Sequence, residues 1–340
     1  MDPLEQLSER FRRFAEMECK HSSLLYEHLA RNMADDSELL KLAAHSRTGQ
    51  PVPNLFLGAV HYLLLKGTRH ELAYYYASIV QDPKNLAGVY ASFKQFCKQY
   101  EADMIYLLKT RLVQTNEVRR CAYLYPAFCY IYQLTGKPLS LVEIGTSAGL
   151  QLLWDKYKYS YSSQLEEYGN EHAAVKITSE LRGDPILLAQ SPPVDGRIGV
   201  DLHINDLKHQ DHFLWLKALI WPEHRERRAY FEAAAACLEQ YPVKLIEGDG
   251  VELLPDIVPA IASDMTLCIF HTHVANQFTA ATKTKLLESI QVLGRQRDVF
   301  HLYNNMWDMD LHLDYYRNGE EKKLTLAETD GHGRWFKWKV

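Results

Sequence analysis

The stretch from Pro138 to Leu150 (Pro-Leu-Ser-Leu-Val-Glu-Ile-Gly-Thr-Ser-Ala-Gly-Leu) limits the folds open to this chain more than any other segment. An apolar run ends in a carboxylate, breaks into a glycine-spaced bend, and gives way to helix-compatible residues from Leu150 to Tyr157. Strand, tight turn and helix start, in that order, is how open α/β sheets seat a ligand at the carboxyl ends of their strands. Gly145 and Gly149 let the backbone approach a ligand, and the small Thr146, Ser147 and Ala148 keep side chains out of the way. Glu143 repels a pyrophosphate and attracts a cationic amino group. The bend therefore points to S-adenosylmethionine, which carries an ammonium and a sulfonium and no phosphate, rather than to a dinucleotide. Ser147 stands where the usual Gly-x-Gly-x-Gly has its second glycine.

The rest of the chain divides around this stretch. Before it, Leu4, Leu7, Phe11 and Phe14, then Leu25 and Leu29, recur at helical spacing and form one apolar stripe. Asp36 and Ser37 are placed to cap a second helix running to Ala44. Arg47-Thr48-Gly49-Gln50-Pro51-Val52-Pro53 is a break, and Asn54 is the expected cap of an apolar helix through Leu65. Further helices are predicted over 70–80, 86–110 and 116–134. After Pro138 the pattern changes to short β-rich runs: Leu139–Ile144, Arg197–Leu202, Val243–Glu247, Thr266–Phe270 and Val299–Tyr303. Helical segments over 148–157, 211–239, 250–260 and 277–293 separate them. That alternation predicts a parallel sheet with helices on both faces. Two alternating runs around Asp330-Gly331 predict a terminal antiparallel hairpin. The expected fold is thus α/β, a Rossmann-like sheet of the class I methyltransferase type. An all-α region over 1–135 would act as lid and substrate selector for the sheet domain over 136–340. Residues 158–196 are an insertion expected to lie outside the sheet order.

Net charge is −5, so no basic excess calls for nucleic acid as an obligatory partner. No run of 18 apolar residues predicts a membrane span, and the N-terminus lacks the cationic and apolar regions of a signal peptide. The six cysteines are scattered without a Cys-x-x-Cys pair, which fits reduced thiols in a cytoplasm and predicts no metal site.

Several polar residues stand where chemistry is expected. Asp201 ends the second core strand, and its two oxygens can take both ribose hydroxyls of an adenosyl group. Glu180 is the rival for that role, because Asp201 follows the bend by more than the roughly 20 residues of a compact βαβ unit. Asp249, between two glycines, can accept from an adenine amino group or simply cap the next helix. His271 and His273 share strand spacing at the end of the fourth core strand. His271 is the candidate general base, or else a residue that only fastens the next loop. Gln114, Asn116 and Glu117 before the sheet region can close over a ligand, and Thr115 or Asn116 is the candidate cap of the helix that follows. Pro222 forces a helix boundary, and Glu223 beside it either binds substrate or lies on a solvated face.

These segments together resemble an uncharacterised bacterial family, a domain of unknown function whose members are described as methyltransferase-like. The resemblance spans nearly the whole chain. It rests on Gln114-Thr115-Asn116-Glu117, Glu143 to Leu150, Asp201-Leu202-His203-Ile204-Asn205, Trp221-Pro222-Glu223, Gly248-Asp249, Phe270-His271 and Asp330-Gly331-His332-Gly333-Arg334-Trp335. It implies the fold; methyl transfer is an inference from fold and site. The expectation is a cytoplasmic S-adenosylmethionine-dependent methyltransferase acting on a small molecule. Glu143, Gly145, Thr146, Ser147 and Gly149 would hold the amino-acid end of the cofactor, Asp201 the ribose and Asp249 the adenine, with His271 facing the acceptor. The alternative is a non-catalytic relative that binds a nucleoside or a protein partner through the same cleft.

Overall fold

Pro138 and the apolar residues after it start a strand, Leu139–Ile144 (β1), in which every residue is buried. Strands buried on both faces belong to the middle of sheets covered by helices, and that is where β1 sits. The computed structural model describes residues 2–162, 166–183, 186, 188 and 191–340, which form two units. One comprises 1–115 with 208–229, the other 116–207 with 230–340. The division falls at Thr115 instead of near 135.

The helical unit contains α1 (Pro3–Phe14), α2 (Leu24–Ala34), α3 (Ser37–Ala43), α4 (Val52–Leu65), α5 (Val89–Gln99) and α6 (Glu101–Thr110). Leu7, Phe11, Phe14, Leu25 and Leu29 are buried, as the stripe requires. Asp36 caps α3, accepting from the amides of Glu38 and Leu39. Pro51, not Asn54, is the cap position of α4, because Pro53 is itself accommodated in the first turn. The expected helix over 70–80 shrinks to a single 3-10 turn, Glu71–Tyr75. The expected helix over 86–110 breaks at Tyr100, and the one over 211–239 splits into α8 (Gln210–Ala218) and α9 (Arg225–Gln240) around Pro222.

The second unit adds α7 (Cys121–Thr135), α10 (Gly250–Ile257) and α11 (Ala280–Gly294). Its further strands are β2 (Lys158–Tyr161), β3 (Glu167–Gly169), β4 (Lys176–Arg182), β5 (Val194–Asp201), β6 (Lys244–Glu247), β7 (Thr266–His271), β8 (Val299–Tyr303), β9 (Leu311–Arg317), β10 (Glu320–Thr329) and β11 (Trp335–Trp338). They form one sheet in the order β3-β2-β4-β11-β10-β9-β8-β7-β1-β5-β6. The five strands β6-β5-β1-β7-β8 are parallel throughout.

Two departures from expectation concern the other half of the sheet. β9, which was not anticipated, pairs antiparallel with both β8 and β10, so a three-stranded meander replaces the lone hairpin. The segment 158–196 does not lie outside the sheet order: it supplies β2, β3 and β4, and β4 runs parallel to β11. Strict alternation of exposed and buried residues along β4 is the pattern of a strand with one face covered. Residues 163–165, 184–185, 187 and 189–190 of that segment lie outside the described residues. The result is a mixed α/β protein with a large, mostly parallel sheet. Among the described residues no helix is long and apolar enough to cross a membrane.

Side-chain alternation divides the central sheet into two faces. Val142, Ile144, Val200, Leu267, Ile269 and Val299 pack with Val251, Leu254, Leu286 and Ile290 of α10 and α11. On the opposite face Phe128 of α7 stacks on Trp154, ring centroids 4.6 Å apart, and meets Phe270 edge-on at 5.3 Å. This packing is why α7 belongs with the sheet, not with the helices before it.

Gly294 packs α11 against β9: a Cβ there would overlap the Tyr316 ring. Helix propensity alone favours alanine over glycine by about 1 kcal/mol. Overpacking costs about 1–3 kcal/mol and should dominate. Gly294→Ala is expected to lower stability in urea denaturation; a gain would show that α11 can shift away from β9.

Candidate functional site

The five parallel strands reverse direction of growth at β1: the chain goes from β1 to β5 and β6 on one side, then returns to β7 and β8 on the other. Ligands of open α/β sheets bind at such a switch point, outside the carboxyl ends of the strands. Here the loops after β1, β7 and β8 each carry a non-glycine residue with positive φ, Ser147 (53°), His273 (56°) and Asn305 (57°). Left-handed backbone at non-glycine residues costs energy and tends to gather at functional sites. Only five such residues occur among those described, so three on adjoining loops is a concentration.

Hydrogen bonds stitch these loops together. Asn116 donates through Nδ2 to the Thr146 carbonyl at 2.6 Å, and Gln151 donates through Nε2 to the Glu117 carbonyl at 3.2 Å. Thr272 donates to Oε1 of Gln151 at 2.9 Å. The His273 amide donates to Oδ1 of Asn304 at 3.0 Å, and Asn304 donates to the Tyr123 hydroxyl at 3.2 Å. Arg120 donates through Nε to the carbonyl of Gly331, in the turn between β10 and β11, at 2.9 Å. In that turn Arg334 grips Asp330 with two bonds of 2.9 and 2.7 Å. Burial works against the Asp330 charge, but Arg334 outweighs it and holds the carboxyl down to about 2. Three buried polar atoms on this rim have no hydrogen-bond partner among the described residues: Asn116 Oδ1, His273 Nε2 and Asn305 Nδ2. Buried polar atoms are rarely left so, and each points to a ligand or an ordered water.

The glycine bend differs from its expected form. Its carboxylate, Glu143, is buried beneath the bend and accepts from the Thr146 hydroxyl at 2.5 Å. Burial pushes the carboxyl up to about 8, Asp201 adding to the shift while Thr146 and Arg120 oppose it. Glu143 therefore carries a proton at neutral pH and does not supply the negative charge the sequence argument assigned to it. Gly145 is needed for close packing: a Cβ there would lie 2.7 Å from two carbons of Val274, which covers the bend. A Cβ at Gly149 would meet Val243 at 2.9 Å and Leu245 at 3.0 Å. Both glycines also have φ near +80°, so protein contacts and backbone shape account for them.

The other expected residues fall in several places. Asp201 accepts from the Ser147 amide at 2.8 Å and the His203 amide at 3.1 Å, so it ties the bend to the next loop, and burial raises its carboxyl. Glu180 is exposed on β4 and pairs with Arg182, across the sheet from the bend. Asp249 caps α10, accepting from the amides of Val251 and Glu252. His271 does not share a face with Glu143. It follows Leu267 and Ile269 onto the α11 face, wholly buried, with Nε2 3.1 Å from Nε2 of His301. Burial holds its imidazole down to about 3. β7 ends at His271, so His273 does not continue the strand; it turns to the rim, where burial and then the Arg120 charge lower it to about 3. Gln114 and Glu223 belong to the helical unit. There Glu223 accepts from the Ser23 hydroxyl at 2.7 Å and the Leu25 amide at 2.9 Å, securing the start of α2 instead of lying solvated.

Gln151, Thr272, Asn304, Asn305 and Arg120 escaped the sequence reading. The signal for Asn304 and Asn305 was present, a polar pair straight after the buried strand β8. The role of Gln151 was hidden in an apolar run.

Fold and site define a mixed α/β protein with a polar, strained rim at a topological switch point. More particularly, residues 8–338 match the model of a family described as an uncharacterized protein conserved in bacteria (DUF2332), and the chain belongs to that family. No curated protein and no solved structure matches the chain.

Glu143 gives a pH prediction. Its carboxyl keeps a proton up to about 8 when folded but loses it near 4.5 when exposed, so unfolding releases a proton between those values. Stability from this group is full below 4.5 and falls as pH rises, by up to roughly 1.4 kcal/mol per pH unit. Glu143→Gln should flatten the pH dependence of denaturation across this window. An unchanged slope would mean that Glu143 ionises in place.

Proposed function

We propose that this chain is an S-adenosylmethionine-dependent methyltransferase acting on a small molecule. The observation that carries the reading is the switch point between β1 and β7, with its three left-handed residues and three unspent buried polar atoms. The fit to the cofactor differs between parts of the rim. Asn116 Oδ1 and Asn305 Nδ2 offer an acceptor and a donor suited to an ammonium and a carboxylate. Asp201, which ties the bend to the next loop through the Ser147 and His203 amides, lies where the ribose hydroxyls of the cofactor would reach it. The space directly over Gly145 does not fit, because Val274 fills it.

When bound, the cofactor supplies an electrophilic methyl on a sulfonium. What the chain contributes is orientation and exclusion of water. His273, neutral at the rim, is better placed than His271 to accept a hydrogen bond from an acceptor nucleophile. Asn304, holding the His273 amide, keeps that residue in its left-handed conformation.

A second reading is favoured by Val274 and by the carboxylates of Asp201 and Asp249 both being engaged within the protein. In it the rim binds a nucleoside or a protein partner without transferring a methyl group. Thermal denaturation with S-adenosylmethionine and S-adenosylhomocysteine separates the two. A ligand at a hundred times its dissociation constant adds about 2.7 kcal/mol, and Asp201→Ala should weaken binding about tenfold or more. No stabilisation by either compound at millimolar concentration would refute the methyltransferase reading.

A further inference from the structure

A groove of about 550 Å³ opens on the α11 face, along β8, β9 and β10, away from the Glu143 face of the sheet. That volume is within the range of small-molecule sites. His301, Tyr303 and His312 form a ladder of near-parallel rings across its floor. Centroids are 4.5 Å apart from His301 to Tyr303 and 5.3 Å from Tyr303 to His312, with planes within 28°. Alternation produces the ladder: His301 and Tyr303 share a face of β8, and His312 pairs with Tyr303 from β9. Trp307, 64% exposed, stands at the rim with the Lys283 ammonium 5.1 Å from a ring centroid.

The charge in the groove is acidic. Asp314, 9% exposed, accepts from the Tyr303 hydroxyl at 3.1 Å. Glu288 lines the wall from α11, and Glu321 is neutralised by Lys323 at 3.1 Å. An anionic ligand is therefore disfavoured. His301 is wholly buried, lines the groove, and spends Nε2 on His271; its Nδ1 has no partner among the described residues. One histidine of the pair must donate across the Nε2–Nε2 contact. When His301 is the donor, its Nδ1 is an unprotonated acceptor on a residue that lines the groove.

We propose that this groove is a second binding site, distinct from the switch-point rim, that takes a flat aromatic cation. The exposed Trp307 ring can stack on its planar body and face its charge. Asp314 and Glu288 balance the charge, and an N–H of the ligand selects the tautomer in which His301 Nδ1 accepts. Burial keeps both His271 and His301 neutral, so neither repels the cation.

The test uses three molecules of one shape: benzamidine as the cation, benzamide as the neutral isostere and benzoate as the anion. Ligand-observed NMR titrations on the full chain should rank benzamidine above benzamide by about fivefold or more, with benzoate weakest. Asp314→Asn or Glu288→Gln should cut the benzamidine preference by about threefold or more. Glu288 is exposed on α11, so its variant keeps the test valid even where Asp314→Asn disturbs folding. Equal affinity for benzamidine and benzamide, or a preference that survives in both variants, overturns the proposal. Neither outcome bears on S-adenosylmethionine, whose stabilisation of the chain is measured separately.

Discussion

The hydrogen bond from Thr146 to Glu143 is the constraint around which the central sheet is finished. A carboxyl placed at the end of a fully buried strand, beneath a bend closed by Val274, has no route to water. It must be paired or protonated, and here it is both: one oxygen takes the Thr146 hydroxyl while burial retains the proton. That bond fixes Thr146, whose carbonyl is then available to Asn116. The next residue, Ser147, offers its amide to Asp201 and its carbonyl to the Asn205 amide. The bend thus anchors the segment before α7 on one side and the loop after β5 on the other.

The order of these bonds explains why the division between the units falls at Thr115. Asn116 and Glu117 are held by the bend and by Gln151, and Arg120 by the turn between β10 and β11. α7 follows at once and covers the Phe270 face. A boundary near residue 135, after α7, would have had to cut through all of these contacts.

Much of the architecture was legible because periodicity is a local signal. The five parallel strands and the turn at Asp330 follow from short apolar or alternating runs bounded by turn residues. β9 was missed although Leu311, Leu313 and Tyr315 alternate with His312 and Asp314 as a strand requires, the first three buried on one face and the other two lining the groove on the opposite one. The glycine bend after β1 was legible in location but not in electrostatics. A sequence shows that a carboxylate ends a strand; it does not show that Val274, more than a hundred residues later, will cover it. Close approach of backbone to protein and close approach of backbone to ligand leave the same glycines behind.

Two neighbouring strands show how a single residue step separates the two candidate sites. Along β7 and β8 the odd-numbered residues Ile269, His271, His301 and Tyr303 face α11. Immediately beyond the strand ends, Thr272 reaches Gln151 and Asn304 reaches Tyr123, both on the α7 face. The left-handed turns at His273 and Asn305 then stop either chain from continuing the strand. A helix-lined groove and a loop-built rim therefore sit back to back on the same two strands, and neither needs residues of the other.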